Sequence, residues 1–148
     1  MKNVWIIHHS QLGNSEKLSN EVASGLKGKF NVKVGSIKII KPEEIANDNP
    51  FALIICARIQ GFNTDRIMTS FIKNLSTSFK EPISKIATLY THGLKWINIF
   101  SRGMRKALKK STCIGEVCPE FLEVKIPLEG KEEKIQGYIK KLIDFLEA

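Results

Sequence analysis

The chain has little cysteine: Cys56, Cys113 and Cys118 are the only three in 148 residues, an odd number without the paired spacing of a metal site. Stability from a disulfide framework is therefore not expected. Buried or half-exposed thiols in a reducing cytosol are the simpler reading, with a Cys113–Cys118 redox pair as the alternative. No apolar run approaches the roughly 18–20 residues needed to cross a bilayer. Met1-Lys2-Asn3 leads straight into a strand, with no long apolar stretch or small-residue cleavage site of a secretory leader, so a cytoplasmic location is expected. Linkers, repeats and low-complexity stretches are missing too. A 43% hydrophobic content over this length is enough to bury a real core in a single domain, residues 1–148.

Negative charge is also in short supply. Fifteen acidic residues face 23 lysines and arginines, for a net charge of +8. The densest basic group is Arg102, Arg105, Lys106, Lys109 and Lys110, on a stretch with helical periodicity. Such a face is either solvated surface or a dock for an acidic protein, with an anionic membrane surface as a lesser option. Nucleic acid ranks last, because no recognition motif or interleaved aromatic platform accompanies the charge.

What is present is an alternation of strand and helix signals. Asn3 to His8 reads as a buried strand and Asn14 to Leu26 as an amphipathic helix stopped at Gly28. Phe30 to Ile40 carries alternating apolar residues (Val32, Val34, Ile37, Ile39), and Phe51 to Ala57 is the continuous run of a central parallel strand. Thr64 to Leu75 predicts a helix with Ile67, Met68, Phe71, Ile72 and Leu75 inward. After Pro82 comes a fourth strand, Ile83 to Tyr90, then a helix over Trp96 to Lys110. Thr112 to Val117 and Phe121 to Val124 read as a fifth strand interrupted near Pro119, and a last helix follows Gly130. Five strands alternating with helices imply an α/β three-layer sandwich, a five-stranded parallel sheet wound on both faces. Ligands of such sheets sit beyond the carboxyl ends of the strands, where the strand order reverses. The loops after the first, third and fourth strands are therefore the candidate site.

The first of these loops is Ser10-Gln11-Leu12-Gly13-Asn14-Ser15. A strand running into hydroxyls, glycine and amide, then directly into a helix, suits a phosphate. The first N–H groups of the helix are unpaired, its dipole is positive there, and Ser10, Asn14 and Ser15 add donors without a full charge. Serine and asparagine are also ordinary capping residues, so a plain strand–helix turn is the competing reading. His8 and His9 read as packed or surface histidines beside this loop.

These residues resemble the flavodoxin-like family, over most of the chain. The first loop is similar to that family's phosphate loop (hydroxyl, any residue, threonine, glycine, asparagine, threonine), with Leu12 in place of a threonine. The missing hydroxyl is worth about 1 kcal/mol of phosphate binding. The second loop, Arg58-Ile59-Gln60-Gly61-Phe62 after Cys56-Ala57, matches at Gly61. Arg58 replaces a proline there, and Gln60 replaces the aromatic that packs on the flavin, for which Phe62 is the nearest substitute. The third loop, Thr91-His92-Gly93-Leu94-Lys95-Trp96, stands at the second flavin-flanking position, with Trp96 or Tyr90 as a ring platform. The resemblance implies strand order 2-1-3-4-5 and non-covalent flavin mononucleotide (FMN). It also implies electron transfer or reduction of a small acceptor, without a side-chain acid or base. Arg58 either places a cation near the ring or points to solvent.

The family's electron carriers are typically acidic; a basic chain implies an acidic redox partner. Flavodoxin-like protoporphyrinogen oxidases, basic members working with membrane quinones, are one alternative. Another is a degenerate fold without flavin acting as a binding or regulatory module, favoured by Leu12, Arg58 and Gln60. Other uses of the topology are disfavoured. A receiver domain needs acidic residues where His8 and His9 stand. A low-molecular-weight tyrosine phosphatase needs a cysteine opening the first loop, and a dinucleotide fold needs three glycines where Gly13 stands alone.

Overall fold

The apolar runs of the first and third strands have no polar face, so they need cover on both sides, and the fold supplies it. The computed structural model describes residues 1–10, 13–60, 63–79, 81–93, 102–111 and 113–148. In chain order these form β1 (Asn3–His8), α1 (Asn14–Leu26), β2 (Asn31–Ser36), α2 (Pro42–Asp48), β3 (Ala52–Gln60) and β4 (Asn63–Thr64). They continue with α3 (Arg66–Leu75), β5 (Ile83–His92), α4 (Arg102–Lys110), β6 (Ile114–Val117), β7 (Leu122–Lys125) and α5 (Glu132–Glu147).

The sheet runs β2-β1-β3-β5-β6, all parallel, with β7 also parallel to β5. β6 pairs with the first half of β5, from Ile83 to Ile86, and β7 with the second, from Leu89 to His92. Together they are the interrupted fifth strand that Pro119 predicts, a residue with no N–H to give to a ladder. Counting them as one and setting β4 aside, the order is the expected 2-1-3-4-5. β4 is an addition: Asn63–Thr64 turns back antiparallel on Ile59 and Gln60, extending β3 past the sheet at the site end.

Side-chain alternation splits the core in two. Val4 and Ile6 of β1 and Ala52, Ile54 and Cys56 of β3 face Leu18, Val22 and Leu26 of α1 and Ile135, Ile139 and Leu142 of α5. Trp5 and Ile7, with Leu53, Ile55 and Ala57, face Ile45 of α2, Met68, Phe71, Ile72 and Leu75 of α3, and Met104, Ala107 and Leu108 of α4. Each fully buried aliphatic side chain contributes about 1.5–3 kcal/mol. No helix among the described residues is long and apolar enough to cross a membrane.

The structure corrects several local expectations. β2 stops at Ser36, and the backbone turns over residues 37–39, leaving Ile39 81% exposed. The Ile37 and Ile39 alternation was a turn, not a strand. Residues Pro42–Asp48 form a short helix that the periodicity did not declare, started by Pro42 in its first turn. Ile67 is 56% exposed, not inward. At 100° per residue it sits about 90° from the centre of the stripe formed by Met68, Phe71, Ile72 and Leu75. Tyr90 is 1% exposed and packs edge-on against Phe121 in the core, so it offers no ring platform at the site. The expected start of the fourth helix at Trp96 lies outside the described residues.

Candidate functional site

The order of the sheet reverses at β1 and β3, and the three expected loops meet there. A cleft of about 200 Å³ takes Ser10, Asn14 and Ser15 from the first, Arg58 and Ile59 from the second, and Thr91, His92 and Gly93 from the third. Ile126, just past β7, completes it and carried no signal in the sequence beyond being apolar. Gln11, Leu12, Gly61, Phe62 and Trp96 lie outside the described residues. Gln60 ends β3, paired through its backbone with Asn63.

Gly13 is the N-cap of α1, at φ 87° and ψ −2°, with no side chain bonded to the helix start. A Cβ there would meet nothing within 4 Å, so the backbone angle, not space, requires the glycine. Its carbonyl accepts the N–H of Lys17 at 3.0 Å. The N–H groups of the first turn before Lys17 have no intrahelical acceptor, which leaves a positive end at the cleft. The plain N-cap reading of Ser10 or Asn14 is thus not the geometry found.

Behind the cleft, Ser15 Oγ and Thr91 Oγ1 share a buried hydrogen bond of 3.0 Å. The Cys56 thiol donates to the Ser15 carbonyl at 3.5 Å; burial pushes this thiol up to about 12, so it is an inert packing group. All three cysteines are free thiols.

Two further groups were not legible in advance. The carboxylate of Asp65, completely buried, takes hydrogen bonds from the ring of His9, from Arg58 Nε at 3.2 Å and from the Ile67 N–H at 2.9 Å. Burial alone would raise its pKa, but these donors, His9 foremost, outweigh it and hold the carboxyl below the usual range. Asp65 is also the N-cap of α3, and an acidic residue directly before an apolar stripe was the available signal. On the other flank, His92 Nε2 bonds Glu123 Oε2 at 2.5 Å, and Lys134 donates to Glu123 Oε1 at 2.6 Å. Burial again opposes ionisation of Glu123, and Lys134 and His92 overcome it. His92 Nδ1 is left buried without a hydrogen-bond partner.

A doubly wound parallel sheet in this order, with a polar cleft at its switch point, is the flavodoxin-like fold. No protein-family model matches the chain, and no curated protein is similar to it in sequence. Solved structures are similar to it in fold. The chain is similar to a flavodoxin from the domain Archaea, with TM-score 0.76 and 14% identity over 99% of each chain. It is similar to a variant flavodoxin of Fusobacterium nucleatum bound to flavin mononucleotide, with TM-score 0.69 and 16% identity over 99% of this chain and 96% of that one. A third is rubredoxin oxygen:oxidoreductase of Desulfovibrio gigas, with TM-score 0.80 and 13% identity over 99% of this chain but 36% of the other. At such identities the likeness is one of fold.

Proposed function

We propose that the cleft binds FMN and that the protein acts in electron transfer or as a small flavin-dependent oxidoreductase. One observation carries this reading: donors from three separate loops converge on an uncapped helix N-terminus opened by a left-handed glycine. The phosphate end suits the residues present. The N–H groups of the first turn, the Ser10 hydroxyl and the Asn14 amide are all donors, and no acidic side chain is among the described residues lining the cleft. Arg58, Ile59 and the segment from Thr91 to Gly93 stand toward the ring end. Bound FMN supplies the electron chemistry; the chain's residues hold and orient it and set its surroundings. The exposed face of α4, with Arg105, Lys106, Lys109 and Lys110, suits an acidic redox partner.

A second reading has one observation in its favour. The Ser15 and Thr91 hydroxyls pair with each other without any ligand, as they would in a flavin-free binding module. Freshly purified protein separates the two. Flavin absorption bands, flavin fluorescence released on heating, and tighter binding of FMN than of riboflavin are expected. Colourless protein that binds neither at micromolar concentration would establish the module reading instead.

A further inference from the structure

Among the described residues lining the cleft, Arg58 alone carries a permanent charge. Its side chain is 17% exposed, and its Nε donates to Asp65, whose side chain is 0% exposed. The carboxylate is thus sealed away from the cleft and engaged by His9 and the Ile67 N–H as well, while the guanidinium borders the cavity. Distance decides the sign of the local field. A ligand in the cleft meets the cation first, in a place less screened than open surface. Register puts Arg58 beside Thr91 on β5, so the charge sits where the second and third loops meet.

We propose that Arg58, positioned by Asp65, makes the cleft favour the more negatively charged redox state of a bound flavin. The inference rests on the reading of the cleft as an FMN site. Uptake of two electrons and one proton by the flavin ring system leaves it with one more negative charge than before. A fixed cation at the ring end therefore binds the reduced form better than the oxidised one, and that differential contact is what shifts the equilibrium. Arg58 touches the ligand in this arrangement; Asp65 acts through Arg58.

The test compares affinities in two redox states. Wild-type protein, R58Q, R58M, R58K and D65N are titrated with oxidised FMN and, without oxygen, with FMN held reduced by excess dithionite. Circular dichroism establishes that each variant is folded. The ratio of reduced to oxidised affinity is expected to fall about tenfold in R58Q and R58M, 1.4 kcal/mol by conversion. R58K, which keeps the charge, is expected to retain most of the ratio, and D65N to lose part of it. An unchanged ratio in R58Q and R58M, with FMN still bound, overturns this inference and leaves the FMN site standing. Failure of wild-type protein to bind FMN in either state overturns both.

Discussion

Ser15 and Thr91, 76 positions apart in the chain, meet hydroxyl to hydroxyl at 3.0 Å and tie the start of α1 to the end of β5. One hydroxyl donates and the other accepts, and the acceptor keeps its own hydrogen for a further partner. Removing either leaves the other buried and unsatisfied. Ser15→Ala and Thr91→Val are each expected to cost about 1–2 kcal/mol of stability. The double variant should cost less than the two together, because nothing is then left unpaired. Urea unfolding of the four proteins checks this; strict additivity would mean that the contact contributes nothing.

Asn14 tests where a phosphate sits. It lines the cleft in the first turn of α1, where its amide adds a donor without charge. Asn14→Asp places an anion at the same point. It is expected to weaken FMN by about tenfold, in line with close like-charge repulsion in a partly screened site. Riboflavin, which has no phosphate, should be affected much less. Equal loss for both ligands would move the phosphate away from α1.

The layers were readable because hydrophobic patterning acts locally, whereas the strand order followed from the family resemblance of the loops. Phe51 to Ala57 could only be a strand covered twice, and Pro119 marked the break between β6 and β7. The glycine and hydroxyls of the first loop were legible for the same reason, since turn chemistry is written in adjacent residues. The bonds that organise the site were not. His9 meets Asp65 across 56 positions, and His92 meets Glu123 across 31; nothing in the spacing of either pair announces a contact. Misreadings came where local pattern and tertiary context part. Ile37 and Ile39 alternate like a strand, but after the Ile37 N–H bonds the His8 carbonyl at the end of β1 the chain closes a turn, with the Ile39 N–H on the Ser36 carbonyl. Tyr90 is the alternative to Trp96 as a ring platform under the resemblance, yet its side chain is buried in the core against Phe121.

Asp65 makes a prediction about acid stability. Its folded-state pKa lies below the ordinary value, so its contribution is complete above the unfolded carboxyl range and is lost as pH falls through the lowered value. Asp65→Asn is expected to cost about 3–5 kcal/mol at neutral pH, because His9 and Arg58 lose a buried partner. The gap between variant and wild type should narrow below about pH 4, the unfolded carboxyl range. Chemical denaturation at neutral pH and at acid pH measures it; a constant gap would remove ionised Asp65 from the account.

Glu123 sets the tautomer of His92. The Glu123 carboxyl is held ionised by Lys134 and His92 against the cost of burial, so it has no hydrogen to give, and Nε2 of His92 must be the donor. Nδ1 is buried without a hydrogen-bond partner, so the bond to Glu123 is the one contact that fixes which ring nitrogen carries the hydrogen. Glu123→Gln offers an N–H in place of a carboxylate oxygen and allows the hydrogen to move to Nδ1. The nitrogen-15 shifts of the His92 ring are expected to exchange their protonated and unprotonated positions in this variant. Unchanged shifts would mean that Glu123 does not govern the ring.

His8 predicts a second contribution on the same acid flank of the stability profile, at higher pH than that of Asp65. It ends β1, 5% exposed, with Nδ1 lacking a partner, and burial holds its pKa below the ordinary value despite the nearby Glu16 carboxylate, with His9 adding to the lowering. In the unfolded chain the ring takes a proton near pH 6.5; in the folded chain it resists until lower pH. Between those two values the unfolded state binds more protons, so stability rises with pH and levels off above about 6.5. His8→Leu removes the titrating group and an unpartnered buried polar atom together. The variant is expected to show a flatter stability curve between about pH 5 and 7, as measured by urea unfolding at several pH values. Since Asp65 also titrates near the end of β1, the comparison is made within the same buffers as Asp65→Asn. A slope unchanged in His8→Leu and abolished in Asp65→Asn would assign the whole dependence to the Asp65 cluster.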